Sequence, residues 1–254
     1  YPILKNCQGL RSCGILNGVV FFGGPGLYAS DWDSKVSAAF VAYDADNDRI
    51  LGASSLSDVD GCKVVNVRRW RVVNNVLYVT VGITHPTTGK KIGALLRWYG
   101  DKNDPWKFHI VGLVDNEAAE LACFNNRIYI GTWATVSAVH VSPEIPEGGF
   151  TPVSIDSEMW PKVWTSDVAE PTKTLGRSIT SVAGFHEWRN HLYWGVFCPN
   201  YYVLSTAQST YGSLTSPDAL AFILGNYRTP SFWRIDKDNN YELLYGDTTN
   251  PKPV

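Results

Sequence analysis

One repeated stretch decides the fold of this chain: it reads NNVLYVTVG at residues 74–82, NNRIYIGTW at 125–133, RNHLYWGVF at 189–197 and LNGVVFFG at 16–23. Each copy combines an Asn-Gly, Asn-Asn or Asn-His pair with a run of aromatic and β-branched residues. Such pairs favour the positive φ angles of a tight turn, and the run is typical of a strand that buries both faces. Each copy therefore predicts a β-hairpin.

An aromatic residue occupies the equivalent position in every copy, namely Phe21, Tyr78, Tyr129 and Tyr193. These residues recur at intervals of 57, 51 and 64 residues. The intervals are near or a little above the period of about 40 to 50 residues that propeller blades show. The spacing therefore indicates a tandem array of blade-like units.

A second hairpin follows the first in each unit. FVAYDADNDRILG at 40–52 aligns without a gap with FWRIDKDNNYELL at 232–244. The second unit has the same layout from Leu95, and the third, from Ala138, is degenerate and runs through a Pro- and Gly-rich stretch. Each unit is therefore expected to have four strands.

A four-stranded antiparallel unit cannot bury both of its faces alone, so the units must stack, and radial stacking also shelters the strand edges. We therefore predict an all-β chain with little helix, a β-propeller built of four-stranded antiparallel blades. The blades are expected at about 13–56, 67–114, 120–164 and 179–246. Residues 1–254 would form a single propeller domain or a segment of a larger ring, and the long blades favour the larger ring.

Composition and charge limit the classes of partner. The net charge is −2 and no basic stripe is present, so nucleic acid is not expected as a partner. Apolar runs are far shorter than the roughly 20 residues of a membrane helix, so no membrane insertion is expected. The start at Tyr1 without Met fits a processed, exported protein or a fragment. We expect an extracellular or periplasmic location.

The repeated hairpin resembles one known group of proteins. LYVT at 77–80, IYIGT at 128–132 and LYWG at 192–195 are similar to the LYxGT-like hairpins of uncharacterised exported bacterial β-propeller proteins. NVRRWRVVNN at 66–75, AAELACFNN at 118–126 and FFGGPG at 21–26 add to the likeness. The resemblance implies a propeller fold and export, and it implies no activity.

One face of the blade array is the expected binding surface. Loops between the second and third strands emerge on the same face as the connections between units, and function usually lies on such loops. Exposed aromatic side chains there can stack on sugars or form the centre of a protein interface. The candidates are Trp32, His85 and Trp133, together with Tyr201, Tyr202 and Tyr211 in a long insertion at 197–230.

Charged residues lie at the strand starts beside the same face. Arg68, Arg69 and Glu120 either bind a ligand there or form an ion-pair network between units. Both interpretations remain open from the sequence. Arg11, Glu117 and Arg177 are expected close by.

Metal and disulfide sites have little support. Asp44, Asp46 and Asp48 have the spacing that opens calcium loops, but the later Glu ligand is missing. We therefore predict no cofactor, with calcium at this turn as the alternative. Five cysteines occur without metal-binding spacing, and Cys7 and Cys62 are the disulfide candidates because both precede a first strand.

No catalytic motif is present, so two classes of function fit the sequence. We favour a non-catalytic extracellular binding or scaffold module that engages a protein, a glycan or subunits of a surface assembly. The alternative is a polysaccharide-acting enzyme, a glycoside hydrolase or lyase, with carboxylate and Arg residues at the channel mouth.

Overall fold

The structure is a computed structural model that describes residues 2–7, 9–25 and 38–246. Strands dominate the described part of the chain. The first group of four strands comprises β1 (Ser12–Leu16), β2 (Val19–Gly24), β3 (Ala39–Asp44) and β4 (Arg49–Ser54). The second group comprises β5 (Lys63–Val73), β6 (Val76–Thr84), β7 (Lys91–Trp98) and β8 (Phe108–Val114). The third group comprises β9 (Glu117–Phe124), β10 (Arg127–Trp133), β11 (Ala138–Glu144) and β12 (Lys162–Thr165). The fourth group comprises β13 (Ser181–Trp188), β14 (His191–Phe197), β15 (Phe232–Ile235) and β16 (Tyr241–Tyr245).

Each group of four strands pairs in chain order. The first sheet (β1 to β4) and the second sheet (β5 to β8) are antiparallel throughout. The third sheet (β9 to β12) is joined to the antiparallel fourth sheet (β13 to β16) by a single residue pair, Trp133 with Ser181. The predicted fold class, a β-propeller type chain of four-stranded antiparallel blades, is confirmed.

Two-residue turns open all four repeats. Both turn residues have positive φ in each case, for example 49° and 59° at Asn74 and Asn75, and 50° and 71° at Asn17 and Gly18. This is the type I′ geometry whose twist matches that of the flanking strands. In the fourth repeat the turn pair is Arg189 and Asn190 rather than Asn-His. The aromatic residue of each repeat is the third residue of its strand, in β2, β6, β10 and β14.

The second hairpins share an Asx turn. The Asp44 side chain accepts a hydrogen bond from the Asp46 amide at 3.2 Å, and Asp236 accepts one from the Asp238 amide at 2.9 Å. A carboxylate that bonds the backbone two residues on stabilises a turn locally. The gapless alignment of these two segments therefore reflects a common turn structure.

The chain divides into two compact units. Unit one comprises Tyr1–Ile130 and Ser142–Trp160, and unit two comprises Gly131–Val141 and Pro161–Val254. The division passes through β10 and β11. Whether the chain acts as a single propeller domain stays a prediction.

Aromatic packing fills the core of each unit. In unit one Phe21 stacks on Trp70 with ring centroids 5.5 Å apart, and Trp98 packs edge-on at 4.9 Å. In unit two Trp164 lies 5.7 Å from Trp194 and 5.5 Å from Trp233. Trp70, Trp98 and Trp194 are buried, whereas Trp106 is only partly buried.

Helices are more prominent than the sequence indicated. The described residues include a 3-10 helix, Pro2–Asn6, and four α-helices: α1 (Ser166–Ala169), α2 (Lys173–Ser178), α3 (Tyr201–Tyr211) and α4 (Pro217–Asn226). The expectation of a long loop over 197–230 is wrong, because α3 and α4 occupy most of it. None of the helices in the described residues is long and apolar enough to cross a membrane.

The predicted disulfide between Cys7 and Cys62 is not formed. Both residues are free thiols, as are Cys13, Cys123 and Cys198. The Cys7 Sγ donates instead to the Gly9 carbonyl at 3.1 Å, and Cys62 is buried in the apolar core of unit one beside Val59. The sulfur atoms of Cys7 and Cys62 therefore make separate local contacts.

Candidate functional site

The candidate loop residues of unit one are only partly described. Trp32 lies outside the described residues, as do Tyr28, Asp31 and Asp33. His85 follows β6, and its Nδ1 accepts hydrogen bonds from the Thr87 and Thr88 amides at 3.2 and 3.3 Å. The proton of a neutral ring must then reside on Nε2, which lies 3.0 Å from Asp156 Oδ1. His85 is thus oriented by its own turn.

A buried charged cluster forms where β5 lies beside β9. The Arg68 Nε and the Asn66 amide both donate to Glu117 Oε1, and Glu117 is almost fully buried. Burial raises the pKa of the Glu117 carboxyl, against the opposing attraction of Arg68 and Arg11. Burial and the nearby Arg68 lower the pKa of Arg11. We call Arg11, Asn66, Arg68 and Glu117 the charged cluster.

A second ion pair lies next to the charged cluster in sequence. Arg69 binds Glu120 through two hydrogen bonds, Nε to Oε2 at 3.1 Å and Nη2 to Oε1 at 2.8 Å. The bond to Glu120 raises the pKa of Arg69. Glu117 and Glu120 are thus each engaged by an Arg, which is the arrangement expected of structural pairs between two strands.

The sequence placed Glu117 in this region but did not identify it as the partner of Arg68, and it missed Asn66. The Asn66 Oδ1 is buried without a hydrogen bond in the described structure. The NVRRW motif contained the signal, because Asn and Arg two residues apart on one strand project to the same face in regular β structure.

The carboxylates considered for calcium contact protein groups in the described structure. Asp44 accepts a hydrogen bond from the Asn47 side-chain amide at 2.7 Å. Lys102 Nζ lies 3.5 Å from Asp44 Oδ1 and contacts Asp46 Oδ2. Asp48 accepts from the Tyr43 hydroxyl at 2.5 Å. The Asn47 hydrogen bond lowers the pKa of Asp44. No group of three potential metal ligands occurs among residues 2–7, 9–25 and 38–246.

Unit two carries the remaining aromatic candidates. Trp133 ends β10 with its ring 6.1 Å from that of Phe197 at the end of β14, and both are exposed. Tyr201 is exposed in the first turn of α3. The Tyr202 hydroxyl accepts from Arg177 at 3.0 Å, so its polar end is already engaged.

The second helix of the insertion exposes an apolar surface that the sequence reasoning missed. Asp218 is the only charged residue of α4, and Ala219 is its only fully buried one. Leu220 and Leu224, one turn apart, are 45% and 57% exposed. Tyr211 lies against α4 with its ring 5.9 Å from that of Phe222. We call the exposed side chains of α3 and α4 the helical surface.

The helical insertion is fixed at its base by a buried ion pair. Arg228, two residues beyond α4, donates from Nη2 to Glu170 Oε1 at 2.8 Å, and both side chains are wholly buried. Burial raises the pKa of Glu170, against the opposing bond from Arg228. Asn200 closes the base, since its side chain donates to the Arg228 carbonyl at 3.0 Å and accepts from the Arg228 amide at 2.8 Å. The helical surface is therefore anchored at both ends.

One face of the fourth sheet is also exposed and aromatic. Tyr193 and Phe232 stack with centroids 5.7 Å apart and an interplanar angle of 20°. Arg189 lies over the Trp188 ring at 4.2 Å. The repeat pattern predicted strands here but not that aromatic side chains on one face, Trp188 and Phe232, would be exposed.

Comparisons with known proteins give only distant similarities. No protein-family model matches the sequence, and no curated protein sequence matches it. Among solved structures, a GH43 endo-arabinanase from Bacillus licheniformis is similar at 9% identity, with a TM-score of 0.42, over 95% of this chain and 81% of that one.

Two other structures have comparable scores. An exo-1,5-alpha-L-arabinanase from a bovine ruminal metagenomic library matches at 9% identity and a TM-score of 0.39, over 95% of this chain and 80% of that one. The tricorn protease matches at 9% identity and a TM-score of 0.45, over 94% of this chain and 22% of that one. Similarities at this level do not bear on activity.

Proposed function

We propose that this protein is a non-catalytic binding module that engages another protein through the helical surface. The observation that carries the proposal is α4, a helix with one charged residue whose leucines remain largely exposed. Contiguous exposed apolar surface is rare on soluble proteins and marks interaction sites. A helix of this composition would otherwise be expected in a core.

The shape of the helical surface favours a protein over a glycan. Leu220 and Leu224 present branched aliphatic groups, whereas sugar rings are usually bound on flat aromatic faces. The spacing of one helical turn is the pattern by which an apolar helix face fits a complementary groove. Tyr201 adds an amphipathic ring of the type enriched at interface centres.

The anchoring of the insertion supports the same function. The ion pair of Arg228 with Glu170 and the hydrogen bonds of Asn200 hold the base of the two helices, which connect β14 to β15. A surface held on a rigid scaffold loses little conformational entropy on binding. We also propose an extracellular or periplasmic location, which is supported by the resemblance of the repeats to those of exported proteins.

The experiment compares the intact chain with a Leu220→Ser/Leu224→Ser variant in a quantitative pull-down of extracellular proteins. We expect partners to be lost from the variant while its stability changes by about 0.5 kcal/mol or less, because both side chains are exposed. Val72→Ser, an exposed apolar position on β5, is the matched control and should retain the partners.

Two results would contradict the proposal. Unchanged capture by the Leu220→Ser/Leu224→Ser variant would exclude the helical surface. Hydrolysis of a polysaccharide panel that disappears in Glu120→Gln or Glu117→Gln would instead establish the alternative, a polysaccharide-acting enzyme using the carboxylates near Arg68.

A further inference from the structure

One arginine recurs at the same place in the second and fourth sheets. Arg97 on β7 pairs with the repeat tyrosine Tyr78, and Arg234 on β15 pairs with the equivalent Tyr193. On its other side Arg234 pairs with Glu242 of β16, and the two side chains form an ion pair. In the fourth sheet the neighbouring strand therefore neutralises the repeated arginine.

The second sheet has no carboxylate at the corresponding place. The residue of β8 that pairs with Arg97 is His109, where the fourth sheet has Glu242. His109 cannot act as a counter-ion, because a histidine ring is either neutral or positive. Among the described residues no carboxylate forms an ion pair with Arg97. Its guanidinium therefore keeps a positive charge that the second sheet does not compensate.

Two further basic side chains lie with Arg97 around a single ring, that of Tyr99. The Arg97 guanidinium carbon lies 4.7 Å from the Tyr99 ring centroid, and Lys107 Nζ lies 5.7 Å from it. The His109 ring meets the Tyr99 ring edge-on, with centroids 5.3 Å apart. We call Arg97, Tyr99, Lys107 and His109 the basic patch.

The protein itself holds two of these basic groups in place. Arg97 Nη1 donates to the Phe150 carbonyl at 2.6 Å. Asp60 accepts a hydrogen bond from the Ile110 amide at 2.7 Å and lies 2.7 Å from His109 Nδ1. In this arrangement the proton of a neutral His109 ring resides on Nδ1, and Nε2 faces away from Asp60. Groups that are already oriented lose little entropy when they bind a ligand.

The basic patch is accessible to solvent. Tyr99 is 37% exposed, the His109 side chain is 32% exposed, and Lys107 is exposed. Lys107, like Arg97, makes no ion pair with any residue that the structure describes. Two positive charges beside one ring repel each other, and an anion in contact with both is attracted by each of them.

We propose that the basic patch binds an oxyanion, that is, a carboxylate, sulfate or phosphate group. Arg97 Nη2 and Lys107 Nζ supply charged donors, and hydrogen bonds from such donors to an oxyanion are among the stronger ones in proteins. The oxyanion is either a free inorganic ion or an acidic group of a polysaccharide. All four residues belong to unit one, so this site shares no residue with the helical surface.

The first test titrates the intact chain with sodium sulfate at constant ionic strength and follows the histidine ring signals by NMR. The His109 signals, assigned with His109→Gln, should shift and saturate, because this ring lies against Tyr99. The signals of the exposed His186 are the internal control and should stay unchanged. Absence of a saturable His109 shift with sulfate, phosphate and galacturonate alike would overturn the proposal.

The second test removes one charge at a time. Lys107→Gln should weaken sulfate binding by about tenfold or more, the effect of losing one charge-assisted hydrogen bond. Lys237→Gln is the matched control, because it removes the same charge from an exposed lysine that pairs with Asp238, and it should leave binding unchanged. Equal weakening by both variants would show attraction by net charge alone and would contradict a site at the basic patch.

Comparison of probes distinguishes the two sources of the oxyanion. Binding of oligogalacturonate at least about tenfold tighter than inorganic sulfate and phosphate would support a polysaccharide, and equal affinity would support a free ion. Leu220→Ser/Leu224→Ser should bind every probe as the parent chain does, so failure of this proposal is distinct from failure of the proposed function.

Discussion

Arg228 and Glu170 form an ion pair removed from solvent at the base of the helical insertion. We expect Arg228→Met to lower the free energy of unfolding by about 3–5 kcal/mol, because it leaves a buried carboxyl without its partner. Replacing both residues, in Arg228→Met/Glu170→Met, should recover most of that loss. Urea unfolding followed by circular dichroism measures both, and a single-variant loss below about 1 kcal/mol would contradict the expected role.

At the scale of single residues, the sequence predicted only in part which charged residues form ion pairs. Arg68 and Glu117 are separated by 49 positions, and Arg69 and Glu120 by 51. Composition and strand position indicated that these groups lie near one another. The choice of Glu117 rather than Glu120 for Arg68 depends on the placement of β5 beside β9, which no local pattern specifies.

Turn geometry is decided at the scale of the element. Asn75 has a φ of 59° in the turn between β5 and β6. Asn75→Val should lower the free energy of unfolding by about 1–2 kcal/mol, because a branched side chain is strained in the left-handed region. Asn75→Gly, the matched control, should be close to neutral. Thermal unfolding compares the two, and equal effects would show that the turn conformation is not limiting.

The helices of the insertion at 197–230 were not predicted from the sequence pattern. Residues 201–211, rich in Tyr, Ser and Thr, belong to the insertion in which the sequence indicated no helix, and they form α3. The signals present were the ends: Gly212 is left-handed with a φ of 67°, and the Ser216 side chain accepts from the Ala219 amide before Pro217 in the first turn. Caps of this type predict helix boundaries even where the interior pattern is weak.

Stability of the whole molecule should fall at alkaline pH. Burial raises the pKa of the Cys62 thiol from 9.0 to about 11. Between these values the folded chain retains a proton that the unfolded chain releases, so stability present below pH 9 is lost as the pH rises toward 11. We expect the decline in unfolding free energy over this range to be shallower in Cys62→Ala.

The exposed Cys13→Ala is the matched control and should follow the parent curve. Urea unfolding at several alkaline pH values provides the slopes. Parallel slopes for Cys62→Ala and the parent chain would show that this thiol does not couple to folding. Cys198, whose thiol pKa burial raises to about 12, extends the same effect to higher pH.

The repeat determined most of the architecture. Asn-rich turns, the aromatic third residue of each strand and the Asx turns at Asp44 and Asp236 are local features, and the strands fall in the regions that they predicted. These features act within a few residues, so their period along the chain is enough to specify hairpins and the sheets that they build.

Tertiary structure alone decided which faces and charges remain available. Tyr78 and Tyr193 have the same local sequence context, yet Tyr78 is fully buried against Phe150, whereas Tyr193 is partly buried and stacks on the exposed Phe232. Asp46, a calcium candidate in the sequence, contacts Lys102, 56 positions away. Burial and pairing depend on segments distant along the chain, whose approach reflects the summed packing of whole sheets and is not encoded in any one motif.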